Sequence, residues 1–414
     1  MSLLGACDAF SDPPEGDDDG FAGFDSGGGA SSPGFVGPAT FDAGRACRPC
    51  PDGGGACACG EREQPTPWRP PLSDLGGDGW RQSEKLLCAG VQQISGLALW
   101  SDGGSVFVAV SGFGGPLNAS TVPEDDAGVV TKVLTQGEFA QVTRVLHNDG
   151  RAWGLRAALE GSTAVRLAAA SPSRVFVYGD GGQAGRACTL GLLDGKGFDC
   201  APQTGAVLKV QAVSKTRALA LTQRQALLVH DGTEWAPFEP QLPASARDLW
   251  AGDDELIVVG NLGNVHRLSN GAWATENIGD DISAIWGRNG DDVWAGTSDG
   301  RLLHFQGSGW EQVAQLGGVT CARRSAIEHI SGGAEHVWLQ TATQIARWNG
   351  SELETFANWT CAPTGVGGQD DERIDDLIAV ADDDVYIAFS NRSTQSSCGD
   401  AFVVHYDGDQ FHRF

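Results

Sequence analysis

The sequence has a single methionine and only three tyrosines in 414 residues, and it carries 28 Lys+Arg against 53 Asp+Glu. No stretch of 18 or more apolar residues occurs anywhere, which excludes a membrane-spanning helix. The formal charge of −25, with no run of five or more Lys/Arg residues to interrupt it, excludes a phosphate-backbone partner, because such a surface repels nucleic acid and anionic headgroups alike. What is abundant is glycine, at 59 residues, and tryptophan, at 13. That composition suits many short strands joined by tight turns rather than long helices.

The first 46 residues are mostly Asp, Gly, Ser, Ala and Pro. Too little apolar surface is available there to offset chain entropy, so residues 1–46 read as a disordered tether. A small cysteine-rich linker, 47–83, follows, and the rest, 84–414, reads as one folded unit. The linker holds Cys47, Cys50, Cys57 and Cys59. Four thiolates could bind zinc, but the C-x-C half is atypical of zinc sites, and in an oxidising compartment two disulfides are the better reading. Eleven cysteines in all leave ten, enough for five bridges, once Cys7 is set aside. Cys188 and Cys200 fall on adjacent strands of the repeat described next, Cys321 and Cys361 bracket a single repeat, and Cys88 with Cys398 would fasten the ends of the folded unit.

From about residue 92 a four-strand pattern recurs. Its clearest copy runs from Asp281-Ile282-Ser283-Ala284-Ile285-Trp286-Gly287 through Asp291-Asp292-Val293-Trp294 to Trp310. First strands begin at Ile94, Val165, Val207, Ala246, Ile282, Ile327 and Ile374. The last six are separated by 42, 39, 36, 45 and 47 residues, the span of one propeller blade. The fold class is therefore all-β: a single propeller of seven four-stranded blades, with eight as the alternative. The alternative arises because Ile94 and Val165 lie 71 residues apart, across an insertion from Gly114 to Asp126 and a half-copy from Val142 to Trp153. The terminal strand, Gln410 to Phe414, is expected at the rim of its blade, with residues 84–91 beside it.

The apolar-Trp-Gly first strand followed by Asp-Asp-Val-Trp-Ala, as in Ile285-Trp286-Gly287 and Asp291 to Ala295, resembles the tandem propeller repeats of secreted and envelope proteins of myxobacteria and related Gram-negative bacteria. The resemblance fades through Leu249-Trp250 and Ile378 to Tyr386 and covers about three quarters of the chain. It implies a fold and a location in the cell envelope but no reaction. At the other end, Leu4-Gly5-Ala6-Cys7 resembles the lipobox of bacterial lipoproteins, which implies lipidation of Cys7 and a lipid anchor to the membrane. The basic and apolar parts of a signal peptide would have to lie upstream, since only Ser2, Leu3 and Leu4 are left to supply them.

Candidate chemistry is sparse. His147, His230, His266, His304 and His405 recur in third-strand contexts. A residue repeated once per blade is spread around the ring and reads as structural, and Trp250, Trp286, Trp294, Trp310 and Trp338 likewise read as packing. His329, His336 and His412 lack a partner at metal-ligand spacing. Asp291-Asp292, Asp375-Asp376 and Asp382-Asp383-Asp384 read as turn carboxylates between first and second strands. One such loop could take calcium, but no cofactor is implied and no catalytic residue is assigned. A sialidase would need a Tyr/Glu nucleophile pair, and Tyr178, Tyr386 and Tyr406 lie in no such context; Thr297-Ser298-Asp299-Gly300 does not match the aspartate box of those enzymes. No nucleophile elbow or phosphate loop appears. The expected function is non-catalytic binding of a protein or glycan. The alternative is a hydrolase or lyase with its site in the channel, to be judged by whether residues that break the repeat, such as Arg323, Arg324, Glu328 and His329, converge.

Overall fold

The computed structural model describes residues 91–114, 140–150, 153–160, 164–180, 188–194, 197–201, 205–243, 246–252, 255–316, 326–342, 344–358, 372–391, 401–409 and 411–413. They form a β-propeller of seven antiparallel sheets, each of four strands consecutive in sequence. The blades run Val91–Glu160, Ala164–Cys200, Val207–Pro237, Asp248–Asn277, Ile282–Gln315, His329–Asn358 and Glu372–Arg413. Every first strand lies at or within three residues of the position expected from the repeat.

The long interval after Ile94 is one blade, not two. Val142 to Trp153, the half-copy, supplies most of the third strand of blade 1 (Ala140–Asn148) and the first residue of the fourth (Trp153–Glu160). The insertion thus splits a blade between its second and third strands, and the eight-bladed alternative falls. Residues 91 and 84–90 part company with expectation or with description: Val91 opens the innermost strand of blade 1, paired with Gly114, instead of lying beside the outer strand of blade 7. Residues 84–90, with the tether and the linker, lie outside the described residues.

A four-stranded sheet is too thin to bury either face by itself, so blades stack around an axis with their first strands innermost. The register aligns the seven first strands, and one row is aliphatic throughout: Leu99, Leu167, Val210, Leu249, Ile285, Ile330 and Leu377. All seven are buried, at 4% exposure or less. The residue after each of these points at the next blade. Where it is Trp250 or Trp286, the facing position is glycine: a Cβ on Gly287 would stand 2.9 Å from the Trp250 ring, and one on Gly332 would stand 2.8 Å from Trp286. The Trp-Gly signature of the repeat is thus a knob from one blade and a hole in its neighbour. Trp294 and Trp338 are also buried, at 4% and 0%, while Trp310 is half-buried on an outer strand.

The ring closes without strand exchange. Blade 7 packs its Ile378, Tyr386 and Val403 against Leu97, Leu99 and Phe107 of blade 1, and the Leu99 N–H donates to Asp376 Oδ2 at 2.8 Å.

Candidate functional site

Two places gather polar side chains inside the described ring: the third-strand histidines and the axis. The histidines are bound into a local device. His304 stacks on Trp294 at 3.7 Å and shares a 2.7 Å hydrogen bond with Asp292 Oδ1, and the Trp294 indole N–H donates to the same oxygen at 2.8 Å. His405 repeats the arrangement, stacked on Tyr386 and bonded to Asp384 at 2.7 Å. His147 stacks on Phe107, His230 meets Phe176 and Trp235 edge-on, and His266 bonds Thr275 at 2.9 Å. His147, His304 and His405 tie the second strand to the third, His230 and His266 reach the fourth, and all five are spread around the ring. The Asp two residues before the second-strand aromatic, in Asp292-x-Trp294 and Asp384-x-Tyr386, was the sequence signal for this pairing.

Burial alone would raise the Asp292 carboxyl, but hydrogen bonds from Arg288, His304 and Trp294 and the Arg288 charge hold it below the usual carboxylate range. A carboxyl depressed in the folded state contributes stability above the usual range and loses that contribution as pH falls through it. Asp292→Asn should therefore cost about 1–3 kcal/mol at pH 7, with the gap from the parent closing toward pH 3. Denaturant melts at the two pH values measure this.

At the axis, the row of first-strand residues just before the aliphatic row is Ala98, Arg166, Lys209, Asp248, Ala284, His329 and Asp376. Lys209, Asp248, His329 and Asp376 are all at 5% exposure or less. Lys209 Nζ sits 3.0 Å from Asp248 Oδ1. Asp248 also accepts the N–H of Leu249 at 2.8 Å and, with its other oxygen, that of Ile285 in blade 5 at 3.0 Å. Asp376 repeats this, accepting Leu377 N–H at 2.9 Å and Leu99 N–H across the closing seam. The innermost strand has one edge with no neighbour, so its inward N–H groups need other acceptors; these two aspartates supply them. Two rows further on, Gln211 both donates to and accepts from Ala251, at 3.0 and 2.8 Å, and Ser331 accepts from Ala379 at 2.9 Å.

Asp375 and Asp376 are thus not turn residues. They lie in the first strand of blade 7, fully buried at 0%, whereas Asp291 and Asp382-Asp383 do occupy the expected turns. Of the residues that break the repeat, Glu328 is half-buried and His329 buried near the axis; Arg323 and Arg324 lie outside the described residues. Among the described residues no group of three or more His, Cys, Asp or Glu side chains gathers closely enough to hold a metal ion, and no helix is long and apolar enough to cross a membrane.

Cys188 and Cys200 form a disulfide, with Cα atoms 5.7 Å apart, joining the approach to the third strand of blade 2 to the end of its fourth. Cys7, Cys47, Cys50, Cys57, Cys59, Cys88, Cys321, Cys361 and Cys398 lie outside the described residues, as do most of the insertion, 115–126, and the ring of His412. Cys200→Ser, which opens a loop of 12 residues, should lower stability by about 2–3 kcal/mol. Under reductant the melting temperatures of parent and variant should converge.

No protein-family model matches the chain, and no curated protein does. Solved structures do. A structure titled "YCF48 bound to D1 peptide" is 12% identical, with a TM-score of 0.44, over 64% of this chain and 89% of that one. YCF48 from Cyanidioschyzon merolae is 14% identical, with a TM-score of 0.42, over 65% and 90%. The extracellular domain of the putative one-component system BT4673 from B. thetaiotaomicron is 13% identical, with a TM-score of 0.43, over 58% of this chain and 31% of that one. The fold of the present chain rests on its own strand order.

The two ends of the ring differ. Connections between first and second strands, and between third and fourth, leave from one end, and none there exceeds the five residues 213–217. Connections between second and third strands, and from one blade to the next, leave from the other end. There the sequence between strands runs to residues 115–139, 238–247, 316–328 and 359–371.

Proposed function

We propose that this chain is a non-catalytic binding module of the cell envelope of a Gram-negative bacterium, anchored by a lipid on Cys7, and that it contacts a protein or glycan through one end of its propeller. The observation that carries the reading is the asymmetry of the connections. Segments that only join strands stay short, because a tight turn is enough; length beyond that is where binding residues concentrate. All the long connections leave from one end.

The axis supports the same reading by what its charged groups are engaged in. Lys209, Asp248 and Asp376 are bound to one another or to backbone N–H groups of the neighbouring blade. Groups that hold strands together are not poised to move protons on a substrate.

Photo-cross-linking separates the two ends. A photoreactive residue placed at Arg224 or Leu262, both exposed on the long-connection end, should cross-link to an envelope component in cells. The same residue at Lys215 or Ser351, exposed on the short-turn end, should not. Cross-links from the short-turn end alone would overturn the assignment of the face. Mass spectrometry of the mature N-terminus tests the anchor separately: an unlipidated Cys7 removes it.

A further inference from the structure

His329 stands out among the buried groups at the axis. It is 2% exposed, and its Nε2 has no hydrogen-bond partner. Its cross-strand neighbour Gln340, 0% exposed, donates to the Ile374 carbonyl of blade 7 at 3.1 Å, while its own Oε1 is also without a partner. Ser331, two residues along, reaches the Ala379 backbone of blade 7. The polar side of this strand therefore faces the seam between blades 6 and 7, and its hydrogen bonding there is incomplete. A buried polar atom left unpaired costs about 1–3 kcal/mol, so the seam carries a liability that the other described seams lack at this row.

The charges around His329 make the liability one-sided. Across the axis, from blades 2 and 3, stand Arg166 and Lys209, whose charges add to burial in disfavouring a charged imidazole. On blade 7, both oxygens of Asp376 accept backbone N–H groups, and Asp375, fully buried, is not among the charges that act on His329. Glu328, half-buried, lies just before the strand that His329 opens. Asp248 is taken by Lys209. On blade 5, the facing row carries Ala284, and Arg288, at the other end of its strand, bonds Asp292 and the Gly333 carbonyl. Among the described residues, the charges that act on His329 are those of Lys209 and Arg166, and no carboxylate pairs with it.

We propose that the seam between blades 6 and 7 is an acid-sensitive catch, held shut by an uncharged His329 and opened when that imidazole takes a proton. Opening exposes the imidazole to water, where it binds a proton with the ordinary histidine affinity, near pH 6.5. The linkage relation then gives an opening constant about tenfold larger at pH 5.5 than at pH 7.5.

Hydrogen–deuterium exchange of the full chain, corrected for intrinsic rates, reads this directly. The N–H groups of Ile374 and Ala379, and those of Glu335 and His336, which bond Asp382, should exchange about tenfold faster at pH 5.5. Blade 2, whose described strands contain no histidine, is the internal reference and should not change. In His329→Gln the acceleration should vanish. Equal acceleration in that variant, acceleration shared with blade 2, or none at all would overturn the proposal. If His329→Gln does not fold, the spatial pattern in the parent chain decides by itself.

Discussion

Asp248→Ala is expected to destabilise the protein by about 3–5 kcal/mol, the range for stripping one partner from a buried ion pair. The substitution leaves the Lys209 ammonium, on a side chain 5% exposed, without its counter-ion. It also orphans the N–H groups of Leu249 and Ile285. Because most of the cost is the uncompensated charge, it should be partly reversible by removing that charge. Lys209→Met in the Asp248→Ala background should recover about 1–3 kcal/mol, leaving the two N–H groups as the residual deficit. Urea unfolding of the parent, both single variants and the double variant completes the cycle. A double variant no more stable than Asp248→Ala would mean that the aspartate acts through the backbone alone.

Trp286→Ala is the second large effect, at about 3–5 kcal/mol. The indole is 5% exposed and fills the space above Gly332 in the next blade. Gly332→Ala should cost less, about 1–3 kcal/mol, since its Cβ would stand 2.8 Å from the Trp286 ring and 2.7 Å from the His336 carbonyl. The two changes share one volume, so they should not add. In the Trp286→Ala background the Gly332→Ala methyl enters a cavity, and the sum of the single effects should exceed that of the pair by about 1 kcal/mol. Additive effects would show that the carbonyl, not the indole, limits the glycine.

The same knob-and-hole pairing explains why so much of the fold was legible. Trp286-Gly287 is a local string whose two halves serve different seams, Trp286 facing Gly332 and Gly287 facing Trp250, so the repeat writes the tertiary contact into consecutive residues. The histidines were legible for a related reason, since each pairs with the strand beside it in sequence. Blade 1 was harder to read because its insertion interrupts a sheet between hydrogen-bonded strands, and two halves of one blade then resemble a blade and a fragment. Asp375-Asp376 misled because the same dipeptide at Asp291-Asp292 does sit where a turn meets the second strand. Only the register, which sets Asp376 opposite Ala388, moves the pair to the inner strand. The surroundings of His329 were not legible at all. Its neighbours Arg166 and Lys209 come from blades on the far side of the ring, and which blades oppose one another depends on the blade number.

Because each sheet is made from its own four consecutive strands, the first and last strands of the propeller keep the polarity of all the others. Val91 therefore enters beside the axis, and Arg413 leaves at the rim, both at the end of the propeller from which the long connections spring. If the chain is anchored through Cys7, as proposed, that end would be held toward the anchoring surface. The short turns would then look outward, and a partner would have to be met in the space between the propeller and its mooring.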